Sequence, residues 1–253
     1  LLAGAITGLL WLLDRLWRGK EGTRPFRPGG LFAAALIAVA SHPALDWLTT
    51  YAIAIFSPVD GRWYSGNAIF IVDWVYWLLM IGGIAGSWWR WRRQRPNAGR
   101  PAQIAGFALL AYIAFNIGVS ATIERATAAI LRQRGIEPEL IVAGPPPFAF
   151  WDRNIAWRSA DRWGSGQYDP ADGLRLDEGS QPLGLDDPMV ARARQNSRYV
   201  RSFLEWSRMP IVVHENGHAY LSDQRFYGPL RSRAVPSKVR SFFRRHAFLV
   251  PLD

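Results

Sequence analysis

His42 and Asp46 stand four residues apart in LFAAALIAVASHPALDWLTTYAIAIF, residues 31–56. In a helix that spacing puts an imidazole and a carboxylate on one face, one turn apart. Thr50 continues the face by a further turn. The stretch is apolar and long enough to span a bilayer, which takes roughly 20 such residues. An ionisable side chain at that depth costs about 2.5–3.5 kcal/mol on insertion scales, so a sequence carrying two of them is expected to use them. Asp73, near the start of AIFIVDWVYWLLMIGGIAGSWW (residues 68–89), is a third such group. In straight helices Asp46 and Asp73 differ in depth by roughly 7–8 Å, a gap that tilt could close. One imidazole and two carboxylates suit zinc, manganese or iron, and three protein ligands plus water is the open arrangement of catalytic zinc. Such a metal lowers the pKa of its water toward about 7 and polarises a phosphoryl or carbonyl oxygen.

On this reading His42, Asp46 and Asp73 ligate a divalent metal, zinc first and manganese second, and Asp46 and Asp73 also serve catalysis. Thr49, Thr50 and Arg62 would orient the substrate, Arg62 as a phosphate contact. Pro43 frees a carbonyl one turn earlier and can kink the helix, which suits a cavity. Asn116 and Glu124 are candidates for supporting the ligands. The competing structural reading makes the same side chains hydrogen-bonding glue between helices.

The elements that would position these groups follow from hydropathy and charge. The net charge is +10 with 49% hydrophobic residues, and the two properties are segregated. Up to about residue 130 apolar blocks alternate with basic loops; beyond it the chain is polar and rich in Pro, Gly, Asp and Arg. Four spans are expected: residues 1–17, 31–56, 68–89 and 102–130, the last apolar to near Ala121. Arg18, Lys20, Arg24 and Arg27 form one basic loop, and Arg90, Arg92, Arg93, Arg95 and Arg100 another. Both fall on one side, which the positive-inside rule makes cytoplasmic. The connection around residues 57–67 and the polar C-terminal part then face outward. This distribution of basic residues argues against nucleic acid as a partner and for membrane lipids. There is no cysteine, which excludes disulfides and thiolate sites. The chain begins with Leu1 inside an apolar run, and upstream sequence is expected.

The expected fold is therefore an α-helical polytopic membrane domain (residues 1–134) followed by a small α+β extramembrane domain (residues 135–253). In the latter, residues 148–160 and 163–168 read as strands, 169–188 as a loop, 189–208 as a helix burying Val190, Val200, Phe203, Leu204 and Trp206, 211–227 as a hairpin and 246–252 as a strand. His214-Glu215-Asn216-Gly217-His218 fits the zinc-protease pattern H-E-x-x-H. That chemistry needs a helix, so that both imidazoles share a face. Asn-Gly is instead a strong hairpin-turn signal, and IVVHE and HAYLSDQRF alternate as strands do. The pattern is declined here.

The segment SHPALDWLTTYAIAIFSPVDGRWYSGNAIFIVD resembles the core of the YdjM-type family of LexA-regulated bacterial inner-membrane proteins, regarded as metal-dependent hydrolases. Ser41, His42, Pro43, Asp46, Thr50, Tyr51, Pro58 and Asp73 match its pattern. Pro147, Phe148 and Trp151 resemble its C-terminal region. The family is thought to be distantly related to zinc-dependent phospholipase C and single-strand nucleases, which implies hydrolysis of a phosphoester in a lipid-linked or membrane-proximal substrate. Family members also carry a His-Arg-Gly segment followed by another His, which residues 1–253 lack. Ala52 and Trp74 stand where Gly and Pro are expected. The visible ligand set is thus expected to be incomplete. The alternative is a non-catalytic membrane scaffold that presents a periplasmic partner-binding domain.

Overall fold

The computed structural model describes residues 1–17, 27–228, 232–245 and 248–252, the side chains of 243–245 excepted. Four helices come first: α1 (Leu2–Trp17), α2 (Pro28–Leu48), α3 (Trp74–Arg92) and α4 (Arg100–Gln133). They pack as two hairpins, α1 on α2 and α3 on α4. The α3–α4 contact is close because small residues face each other. A Cβ on Gly83 would lie 2.6 Å from that of Ala105, so side-chain bulk is excluded there. Arg18, Lys20 and Arg24 of the first basic loop lie outside the described residues.

Among the described residues only α2 and α4 are long and apolar enough to cross a membrane, so two candidate spans replace the four expected. The second expected span is also too long. α2 stops at Leu48, where Thr49 turns extended and its hydroxyl donates to the Asp46 carbonyl and accepts from the Tyr51 amide. Ala52 follows with a positive φ of 69°. The apolar letters of residues 52–56 belong to a non-helical connection, and α3 begins only at Trp74. Hydropathy shows no break where the backbone leaves the helix, since apolar residues suit both states.

The connection, residues 49–73, is ordered. Ile53 and Tyr64 exchange both backbone hydrogen bonds, and the Gly66, Ala68 and Ile69 amides donate to carbonyls at the end of α2. Leu48, Ala68 and Ile69 form a small core against Tyr112, Ile113 and Ile117 of α4.

α4 has 34 residues, about 51 Å at 1.5 Å per residue, well beyond the ~30 Å hydrocarbon core of a bilayer. Its two halves differ accordingly. Ile104, Phe107 and Leu110 are exposed, whereas Val119 and Ile123 pack on a sheet. That antiparallel sheet runs β1 (Leu140–Gly144), β2 (Arg153–Arg158), β3 (Arg162–Asp169) and β4 (Gly173–Leu176), with β5 (Gln181–Pro182) on β3. Strand alternation gives it two apolar faces. Ala143 and Ile155 face α4, while Val142 and Ala156 face Met209 on the other side.

The rest comprises α5 (Pro188–Asn196), α6 (Arg198–Trp206), the hairpin β6 (Pro210–Glu215) and β7 (His218–Asp223), α7 (Ser237–Arg245) and β8 (Val250–Pro251) on β7. Residues 169–188, expected as a loop, contain β4 and β5. The single helix expected over 189–208 is two, broken at Ser197, which ends α5 and caps α6 by accepting from the Val200 amide. Val190, Val200 and Phe203 are buried as expected. The H-E-x-x-H segment is the β6–β7 hairpin, with Asn216 and Gly217 turning at positive φ and Glu215 opposite His218.

Candidate functional site

His42 and Asp46 lie together on α2, with Nε2 3.4 Å from Oδ2. The imidazole is 83% exposed and the carboxylate 46%. The pair therefore sits on the outside of an apolar helix.

Asp73 is elsewhere, as the N-cap of α3. Its Oδ1 accepts from the Tyr76 amide at 2.9 Å and its Oδ2 from the Tyr112 hydroxyl at 2.7 Å. It is 6% exposed. Among the described residues no three His, Cys, Asp or Glu side chains form a group that could hold a metal ion. The three groups read from sequence as one metal centre are thus a pair and a separate cap, and they do not fit a three-ligand site.

Arg62 is held by its neighbour. Its guanidinium pairs with Asp60 at 2.9 Å and its amide donates to the same carboxylate, which also accepts from Tyr64. The Arg62 hydrogen bonds, with that from Tyr64, keep the Asp60 carboxyl far below the usual carboxylate range.

Thr49 and Thr50 do reach a cavity. A pocket of about 290 Å³ opens between the connection, β1–β3 and the segment after β7. Its apolar walls include Ile69, Phe70, Ile71, Pro146, Phe226 and Phe248, and its polar lining includes Thr50, Asn154, Ser165, Gln224 and Arg225. The sequence offered little sign of it, because its walls come from three separate stretches, within residues 49–71, 142–166 and 224–248.

Two buried arginines fasten this region, and sequence reasoning singled out neither. Arg153 is fully buried on the α4 side of β2 and donates to Ser120 Oγ and Asn116 Oδ1, each at 2.9 Å, and to the Phe150 and Asp152 carbonyls. Burial lowers its pKa to about 10, which leaves it charged at neutral pH. Asn116 thus supports Arg153, while Glu124 accepts from Asn67 and from the Ala143 amide. Neither touches His42 or Asp46. Arg225 makes a fully buried pair with Asp223 and also donates to the Thr50 and Tyr51 carbonyls. A side chain after β7 thereby locks the chain just beyond α2. Arg208 makes a further tie to Ser65. For Arg153 in β2 the available signal was a charged residue at an inward register of an alternating strand, which demands a partner.

Exposed apolar helices joined to a sheet-rich C-terminal region through buried polar ties describe a membrane protein. Residues 1–122 match the model of the YdjM inner membrane protein family. Neither a curated protein nor a solved structure matches it.

Proposed function

We propose that this chain is a multi-pass inner-membrane hydrolase of a phosphoester in a lipid-linked or membrane-proximal substrate, with its C-terminal domain periplasmic. The observation that carries this reading is the His42–Asp46 pair, held 3.4 Å apart on an apolar helix that ends beside the pocket lined by Thr49 and Thr50. Two exposed ionisable groups on such a surface are costly in lipid, which favours a functional role. A neutral imidazole and a carboxylate are donors for zinc or manganese, so the pair would supply two ligands of a divalent cation. Asp73 is left out of this set, because both of its oxygens already accept hydrogen bonds. Arg62 is left out as a phosphate contact because of Asp60.

Elemental analysis of detergent-purified protein tests the proposal. The expected result is stoichiometric zinc or manganese in the wild type, and its loss in His42→Ala and Asp46→Ala with helicity unchanged. A metal-free wild type, or full metal content in both variants, would overturn it. One observation favours the scaffold reading instead: Asp73 accepts from Tyr76 and Tyr112, and Asn116 binds Tyr112 and Arg153, so both tie structural elements together. A metal-free wild type that captures a periplasmic partner would decide for it.

A further inference from the structure

We infer that the pocket beneath Arg225 is a binding site for an uncharged, hydroxyl-bearing lipid of the monoacylglycerol type. It is a lipid site distinct from the proposed chemistry: a monoacylglycerol carries no phosphoester, so this ligand is not the hydrolase's substrate.

The first argument is charge. Arg225 is the one charged side chain lining the pocket among the described residues, and its charge is spent. Nε and one terminal nitrogen hold the two oxygens of Asp223, the other terminal nitrogen serves the Thr50 and Tyr51 carbonyls, and the side chain is fully buried. Trp206 and Phe226 lie at 5.3 and 5.1 Å from the guanidinium carbon. A phosphate or carboxylate entering here would be desolvated and, among the described residues, would meet no free cation, which is strongly unfavourable.

The second argument is an acceptor that lacks a donor. Gln224 is 2% exposed. Its Nε2 donates to the Gly164 carbonyl, which fixes the amide, and its Oε1 has no partner among the described residues. A buried acceptor in that state calls for an O–H or N–H. Ionised phosphates and carboxylates carry only acceptors; a hydroxyl can donate. Thr50, Asn154 and Ser165, the other polar side chains named above, are neutral and can each donate to or accept from a second hydroxyl.

The third argument is place. Ile71, Phe242 and Phe248 line the pocket and are 57%, 50% and 43% exposed. Val72 and Trp74, just after Ile71, also expose apolar surface, as do Phe148, whose carbonyl accepts from the Trp74 indole, and Trp151. Aromatic and aliphatic residues of this kind lie where protein meets the bilayer interface, so a ligand with an acyl chain can reach the pocket from the membrane. A water-soluble polyol would leave this apolar rim uncovered.

The test is saturation binding of tritiated 1-oleoylglycerol to the full chain in detergent, with oleate and 1-oleoyl-lysophosphatidate as competitors of equal chain length. Saturable binding near one per chain is expected, with both anions displacing it at least tenfold less well. Thr50→Val, which removes one hydroxyl and keeps the shape, should weaken binding about three- to tenfold, the worth of a neutral hydrogen bond. Ile71→Trp, at an exposed position on the mouth, should abolish it while thermal unfolding stays put. Non-saturable uptake, equal displacement by either anion, or wild-type affinity in both variants would overturn the inference. His42→Ala separates this from the proposed function: it should keep lipid affinity within twofold, whatever it does to metal content.

Discussion

Two sets of charged groups have opposite surroundings. His42 and Asp46 lie on the outer surface of α2 and pair with each other. Arg153, Asp223 and Arg225 are buried, and hydrogen bonds from several elements surround them. A buried charge survives only when paired and bonded, so the second set records what the fold requires. Among the described residues the first set has no such explanation, and for that reason it is the better candidate for chemistry. Asp73 looked like a member of the first set and belongs to the second.

Removing members of each set should sharpen this division. The largest effect is expected for Arg153→Met, which leaves Asn116 and Ser120 without their donor and unties α4 from β2. A loss of about 3–5 kcal/mol is expected, as for breaking a buried charged network, read from chemical unfolding in detergent. Asp223 comes next, through pH. Burial raises its pKa, but the hydrogen bonds and charge of Arg225 outweigh this and leave it below the usual carboxylate value. A carboxyl lowered in the folded state adds stability that is fully present above its unfolded pKa, about 3.9, and is lost as pH falls through the folded value. The wild type should therefore lose stability below about pH 4, and Asp223→Asn should flatten that fall while lowering stability at neutral pH. A smaller change is expected for Asp73→Ala, about 1–2 kcal/mol for a lost helix cap and its hydroxyl partner, with metal content unaltered. Metal lost in Asp73→Ala would return this residue to the ligand set. The smallest change is expected for His42→Ala, within about 0.5 kcal/mol, the scale of an exposed substitution. A large destabilisation there would remove the contrast.

Much of the architecture was legible along the chain. Apolar blocks and the arginine cluster marked the helices of the N-terminal part, because membrane-facing and core-facing residues repeat within a few positions. Asn216-Gly217 marked the hairpin, because few residues other than Gly and Asn accept positive φ, and this excluded a helical zinc motif. The four-residue spacing of His42 and Asp46 predicted a contact that is present.

What failed has a common physical cause. The expected second span ran past Leu48 because hydropathy measures solvent preference and not backbone path. The end of α2 was set by Thr49, whose side chain takes over a helical carbonyl. Asp73 was placed with His42 by residue type, yet a carboxylate at a helix start has its own use in accepting the exposed amides.

The sequence by itself determined the segregation of apolar helices from a polar domain, the hairpin turn and the imidazole–carboxylate pair, since each depends on neighbours within one or two turns. The tertiary structure was needed to show that Asp73 also holds Tyr112 of α4, that the second half of α4 packs on the sheet, and that Arg153 and Arg225 fasten the two parts around a pocket. Those outcomes depend on partners dozens of residues away. Whether a charge is solvated, paired or free to act is a property of its surroundings in space.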